Sequence, residues 1–320
     1  PYGILPKAVQ QGDPDQFLVV KLAAEALADA GVSSEDPVRA RTDVILGRGG
    51  YASNKMSNIY VRSEAIEHTM RALSKLAPEL GPSRRKELED QLYGALDEMD
   101  AEGLLTALPN AVASRASNRL DLAGASYIVD AACASSLIAV EHAVSRLRNG
   151  EADLALAGGV HFNHNPSFWY AFHHLGALSA SHRIRPFDKE ADGLVPGEGA
   201  GIVVLKRLED ALRDGDRIYA TIIGVGSSSD GRAGGILAPS VDGEVRALEN
   251  AYGDAGVDPD TVGLVEAHGT AMPLGDASEL ETLRRVFGDS GSGVPTRALG
   301  SVKSMIGHCM PAAGIASFIK

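Results

Sequence analysis

An α/β fold is predicted by three features of this sequence: short apolar runs that stop at glycine, amphipathic helical stripes between them, and a repeated helix-to-strand signature. In chain order, Phe17, Val20, Ala24 and Leu27 keep the 3,4,3 spacing of a helix with one apolar face. Thr42 to Gly47 then reads as a strand buried on both faces, having a short apolar run, Val44-Ile45-Leu46, closed by glycine. Residues 55–105 break the alternation. Ten acids and six bases between Arg62 and Glu102 flank a helical spacing of Leu88, Leu92, Leu96 and Met99, which predicts a helical insertion, solvated or covered in a dimer. Ser126 to Asp130 reads as the next strand, Ala131-Ala132 as a tight turn, and Cys133 onward as a helix to about Arg148, striped by Leu137, Val140, Val144 and Leu147. Further strands are predicted at 153–158, 201–205 and 262–267.

The repeat sharpens this order. Asp29-Ala30-Gly31-Val32 precedes the strand at 42–47, and Asp254-Ala255-Gly256-Val257 precedes that at 262–267. Cys133 follows the first Asp by 104 residues and His308 follows the second by 54, a difference the insertion nearly accounts for. Two related halves, 1–210 and 211–320, are therefore expected, with Cys133 and His308 at equivalent points.

Composition narrows the function. The 320 residues are 44% hydrophobic and carry 36 glycines, enough for a large core and many turns. A net charge of −12 without a basic run argues against a nucleic-acid or anionic-membrane surface. No apolar stretch is long enough to span a membrane. Two cysteines, Cys133 and Cys309, suit a reducing, cytoplasmic setting in which a thiol is free for chemistry. The start at Pro1-Tyr2-Gly3 and the end within an apolar pattern suggest a piece of a longer polypeptide.

The chemistry concentrates at three points. Cys133 is expected at a helix N-terminus, where the helix dipole favours thiolate and free amides can hold an oxyanion. The small neighbours Ala131, Ala132, Ala134 and Ser135 leave room for a substrate. His268 follows a strand and precedes Gly269-Thr270, the position where open α/β sheets place their sites. His308 follows Gly307 in a turn leading to another helix. A zinc site from His161, His164, His173, His174 and His182 lacks cysteines or a helical histidine pair, and no Gly-Lys-Ser/Thr marks a phosphate loop, so neither metal nor nucleotide is expected.

Asp130-Ala131-Ala132-Cys133-Ala134-Ser135-Ser136, Glu266-Ala267-His268-Gly269-Thr270 and Ser301-Val302-Lys303-Ser304-Met305-Ile306-Gly307-His308 resemble the three active-site blocks of β-ketoacyl synthases in order and spacing. Arg185-Pro186-Phe187-Asp188, Gly197-Glu198-Gly199-Ala200-Gly201 and Gly275-Asp276-Ala277-Ser278-Glu279 extend the resemblance over essentially the whole chain. It implies a thiolase fold, two similar halves in a five-layered αβαβα arrangement, and a homodimer. It also implies an acyltransferase in a larger synthase, with Cys133, His268 and His308 catalytic. Lys303 would set the electrostatics, supported by Asp276 and Glu279; each of the three could instead be a structural ion pair. No cofactor would be bound, since acyl and malonyl groups arrive on the phosphopantetheine of an acyl carrier protein.

The insertion and Ala132 are closer to iterative polyketide, polyunsaturated fatty acid and glycolipid-type synthases than to modular ones. Phe168, Trp169, Phe172, Phe187 and Met272 are candidates for the acyl pocket or its gate, with a packing cluster as the plain alternative. Two departures stand out. Ala271-Met272-Pro273 replaces the family's usual Gly-Thr after His-Gly-Thr, a bulkier wall expected beside His268. The family's opening strand and closing Gly-Phe-Gly-Gly-Thr-Asn block, which supplies an oxyanion amide, do not occur in this sequence, so the 320 residues are not expected to act alone. A ketosynthase-like dimerisation or chain-length partner is the alternative, against which the retained Cys133 speaks. A degradative thiolase would need its second cysteine in a Gly-rich C-terminal block, which Cys309 does not provide.

Overall fold

The computed structural model describes residues 2–50, 54–96, 101–162, 165–232, 234–235, 238–288 and 297–320, leaving aside the side chains of 11 and 54–58. Proline, whose missing N–H is no loss at a first turn, opens α1 (Pro6–Gln11) and α2 (Pro14–Asp29). The buried stripe of α2 is Val19, Val20, Ala23 and Leu27, sharing Val20 and Leu27 with the predicted one, while Val19 and Ala23 take the places expected of Phe17 and Ala24; Phe17 lies under the Arg115 guanidinium. A 3-10 turn, Pro37–Arg41, delivers the chain into β1 (Thr42–Gly47), buried along its length.

The 55–105 stretch is mainly helical where described, with α3 (Asn54–Leu76), α4 (Pro82–Gly94) and α5 (Ala101–Thr106). The apolar stripe expected at Leu88, Leu92 and Leu96 is not a core face, since α4 buries no residue and Leu92 is exposed; Met99 lies outside the described residues. Paired i,i+3 and i,i+4 charges such as Lys86 with Asp90 support α4 locally instead.

There follow α6 (Ala111–Leu120), β2 (Ser126–Val129), α7 (Ser135–Arg148), β3 (Leu154–His161), α8 (Pro166–His174), β4 (Gly199–Leu205) and α9 (Leu208–Asp214). The strands form one sheet in the order β2-β1-β3-β4, in which β1 is parallel to β2 and β3, and β4 is antiparallel to β3. Alternation along the strands splits the core. Val44, Leu46, Leu154, Leu156 and Val160 face α2 and α6. Ile45, Ala155 and Ala157 face α7 and Ile315. The second face is small because α7 comes very close: a Cβ added to Gly47 would lie 2.4 Å from Ser136 N, and one on Gly159 2.7 Å from Ser136 Cβ.

The remaining elements are α10 (Val241–Ala255), a 3-10 turn at Pro259–Thr261, β5 (Leu264–Glu266), α11 (Pro273–Phe287), β6 (Ala298–Gly300), α12 (Lys303–Ile306), a 3-10 turn at Met310–Ala312, and α13 (Ala313–Ile319). The repeated signature has a structural counterpart: Asp36 and Asp258 each cap a proline-led 3-10 turn, accepting from Val38 N and Asp260 N, before β1 and β5. The expectation of fully buried strands fails for 201–205 and 262–267. Among the described residues β4 has a strand partner on one side only and is mostly half-buried, and β5 pairs only with β6, leaving Leu264 63% exposed. The site lies where α7 and α13 meet, joined by Ser136 Oγ accepting the Ile315 N–H at 2.9 Å.

Candidate active site

Cys133 lies just ahead of α7, not in its first turn: Ala134 is the N-cap and the helix starts at Ser135. The turn before it is tight, with Ala132 at φ +50°. His308 stands in the corresponding place ahead of the 3-10 turn and α13, while His268 follows β5. Three separate segments thus converge. The Cys133 sulfur and one ring nitrogen from each histidine all lie within 4.8 Å of one another, and the two rings meet edge to face at 5.6 Å between centroids.

Donor roles follow from the partners. Met310 N–H donates to His308 Nδ1 at 3.1 Å, which makes Nδ1 the acceptor and leaves the proton of the neutral ring on Nε2. Met310 achieves this from a left-handed conformation, φ +48°. This also answers the metal question raised by a Cys-His-His cluster, the one group among the described residues with donors close enough for an ion. A protonated Nε2 has no lone pair to offer, so the set is better suited to donating hydrogen bonds than to coordination. His161 is instead buried beside the Phe168 ring, and His164 lies outside the described residues.

Lys303, buried in α12, donates from Nζ to the His268 carbonyl at 2.6 Å. Burial pushes its ammonium down, and the nearby Cys133, Glu279 and Glu266 oppose that push. Burial followed by the Lys303 charge lowers His268 to about 4, and burial followed by His268 and Lys303 lowers His308 well below 6.5. His268 is exposed, so water screens the effect there; the direction for both is toward the neutral imidazole. The Cys133 thiol is pushed up by burial, with Lys303 and its own backbone amide pulling the other way. That reverses the expectation that a helix N-terminus makes it a resting thiolate, because Cys133 precedes the helix and sits partly out of water.

Asp276 and Glu279 act on backbone rather than on rings. Glu279 accepts the N–H groups of His268 and Gly269 at 2.6 and 2.8 Å. Asp276 accepts those of Thr270 and Ala271, both at 3.1 Å, and of Phe187 at 2.6 Å. Ala271 and Phe187 are both left-handed, φ +62°, so one buried carboxylate holds two unfavourable turns. The Phe187 ring rests on Gly269, where an added Cβ would lie 3.0 Å from it. Phe168, Phe172 and Met272 share an apolar cluster with Ala177, Leu194 and Met310. Met272 therefore extends that cluster rather than simply walling His268. Trp169 does not join it: the ring meets Phe168 edge-on and is 41% exposed. Sequence reasoning missed the Met310 amide, since no residue type announces a left-handed backbone there, and missed Glu266, which accepts Val302 N–H ahead of Lys303.

These pKa directions give a stability test. A histidine held below its unfolded value contributes stability above pH 6.5 that is lost as pH falls toward its folded value. The unfolding midpoint is expected to drop as pH falls from about 6.5 to about 4, and less steeply in a His268→Ala, His308→Ala double variant, as measured by thermal unfolding. Equal slopes would show that the rings are protonated in the fold.

Two family models match the chain: the N-terminal domain of beta-ketoacyl synthases over residues 2–211, and their C-terminal domain over 219–320. Over its whole length the chain is 36% identical to a polyunsaturated fatty acid synthase of Thraustochytrium, and 37% identical to a phenolphthiocerol/phthiocerol polyketide synthase of Mycobacterium tuberculosis. It spans only 11% and 15% of those two proteins. The ketosynthase from module 6 of the bacillaene synthase of Bacillus subtilis 168 superposes with a TM-score of 0.78 at 32% identity, over 99% of this chain and 48% of that one. An oxazolomycin ketosynthase domain of Streptomyces albus superposes at 0.81 and 30% identity, with the same coverage. A thiol flanked by two histidines, on a fold shared with these ketosynthases, is thus accounted for: the chain belongs to the β-ketoacyl synthase family, thiolase-fold acyltransferases that form carbon–carbon bonds by Claisen condensation.

Proposed function

We propose that this chain carries the condensing site of a polyketide- or polyunsaturated-fatty-acid-type synthase, joining a Cys133-bound acyl group to malonyl units delivered by an acyl carrier protein. The convergence of Cys133, His268 and His308 within 4.8 Å carries this reading. In the first half-reaction, Cys133 sulfur attacks the carbonyl of an acyl thioester; the acyl–sulfur bond to the carrier breaks, and the thiol proton leaves with the departing phosphopantetheine thiol. Malonyl carrier protein then loses carbon dioxide. The electron pair of the broken bond becomes an enolate, whose oxygen accepts from His308 Nε2–H and the neutral His268 ring. The enolate carbon attacks the Cys133 thioester, forming the carbon–carbon bond and breaking the acyl–sulfur bond; the cysteine leaves as a thiolate and takes a proton from water.

Neutral histidines suit this work, because a neutral N–H hydrogen-bonds the developing negative charge while keeping its proton, whereas an imidazolium would hand its proton to the enolate. Lys303 supplies the positive charge nearby, held by the His268 carbonyl; Asp276 and Glu279 are positioning residues for the His268 loop. The division into halves at 1–210 and 211–320, the 55–105 excursion as an insertion, a homodimer and a cytoplasmic setting belong to the same proposal. The capping repeat at Asp36 and Asp258 supports the two halves. Among the described residues no helix is long and apolar enough to cross a membrane. The deciding experiment incubates the intact protein with acyl and malonyl carrier proteins. A 3-ketoacyl product with one carbon dioxide released per condensation is expected; malonyl turnover with no chain extension would overturn it.

Phe172 and Met272, which share an apolar cluster with Met310, itself two residues along from His308, are the wall we assign to the acyl chain. Phe172→Ala is expected to shift the preferred chain toward longer acyl groups in competition loading assays, by opening apolar volume. Trp169→Ala, on the exposed side, is expected to leave that preference unchanged. An unchanged profile in both would return these aromatics to packing.

A further inference from the structure

We infer that Ser135 and Asp130 are positioning residues for the nucleophile: together they clamp Ala132 in the left-handed conformation from which Cys133 is presented. The inference rests on reading Cys133 as the nucleophile and adds what holds it in place. Alanine has no local reason to sit at φ +50°, where its Cβ crowds the following carbonyl. Such a residue persists only when its surroundings over-determine it. Here both sides of Ala132 are gripped by side chains. Asp130 Oδ1 accepts the Ala132 N–H at 3.1 Å, and Ser135 Oγ donates to the Ala132 carbonyl at 2.6 Å. The same Oγ accepts the Ala131 N–H at 2.9 Å, closing the turn over four residues. Ser135 is fully buried, so water does not compete for these bonds.

The clamp is anchored elsewhere. The second oxygen of Asp130 accepts the Gly50 N–H at 2.7 Å, tying the turn to the segment that leaves β1. Two residues earlier, Arg48 is locked to Asp15 of α2 by a buried ion pair at 2.8 Å. Ser136, next in line, rests against Gly47 at the end of the same strand. The conformation of Ala132 is thereby set by β1 and α2 as well as by its own loop. Without the clamp the residue would relax to negative φ, and the Cys133 sulfur would swing with it.

Thiol geometry can be read independently of condensation. In the intact protein, alkylation of Cys133 by iodoacetamide, followed by peptide mass spectrometry from neutral to alkaline pH, is expected to slow about tenfold in Ser135→Ala and in Asp130→Ala. Adding Ala132→Gly to either variant should restore most of the rate, because glycine adopts positive φ without the clamp. That rescue separates positioning from stability, since glycine cannot replace the lost hydrogen bonds. Wild-type rates in both single variants, or a slowed rate that Ala132→Gly does not recover, would overturn the inference. Should Ser135→Ala fail to fold, the solvent-facing Asp130 decides it alone. A wild-type protein that alkylates at Cys133 yet never loads an acyl group would defeat the proposed function while leaving the clamp intact.

Discussion

Cys133→Ala is expected to abolish acyl loading, with no mass increase on the intact protein after incubation with acyl carrier protein thioesters. The variant removes one sulfur from a turn of small residues, so its unfolding midpoint should stay within about a degree or two of the parent. Loading at parental stoichiometry would place the nucleophile elsewhere, and Cys309 is the other cysteine to consider. Its Sγ is buried and donates to the Glu198 carbonyl at 3.6 Å, packed against Gly197 and Gly199. Thiol reagents should therefore label Cys133 first. Because burial raises the Cys133 thiol, the labelling rate should still be climbing at alkaline pH where an ordinary cysteine has levelled off.

A raised thiol supplies the proton that departs with the pantetheine thiol, but it also makes Cys133 a poorer leaving group in the second half-reaction, which is where a nearby positive charge is needed. Lys303 serves both stages: its charge favours the thiolate formed at each transfer, and its bond to the His268 carbonyl fixes the loop that carries the second donor. The same charge helps keep both rings neutral.

What the sequence made legible was whatever depends on residue type and spacing. Glycine-ended apolar runs located β1 and β3, and the motifs around Cys133, His268 and His308 located a site whose successive members are 135 and 40 residues apart. What it hid depends on backbone conformation. Seven described residues other than glycine have positive φ; Ala132, Phe187, Ala271 and Met310 among them shape the site, yet alanine, phenylalanine and methionine give no sign of it. The groups that hold them, Asp130, Ser135 and Asp276, were visible as motif letters without a visible partner. Exposure of Leu264 and Trp169 was hidden for another reason: apolar character sets a preference for burial, while the number of neighbouring strands and helices decides whether it is met.

His308→Ala and His268→Ala are expected to spare self-acylation and to lose condensation by about 10²–10³-fold, the cost of removing one well-placed donor from an oxyanion. The two losses should differ in kind. His308 carries its proton on Nε2 because Met310 N–H occupies Nδ1, so His308→Gln, which keeps an amide N–H near that place, should recover part of the rate if donation is its role. His268 faces the Lys303 charge through its own carbonyl, and His268→Ala leaves that bond in place. Its loss should therefore fall on malonyl decarboxylation with the thermal midpoint little changed. Single-turnover measurement of carbon dioxide release and of acyl loading in each variant separates the stages. A variant that decarboxylates malonyl carrier protein normally but cannot load would move its histidine from the enolate to the nucleophile, and make it the base that takes the Cys133 proton.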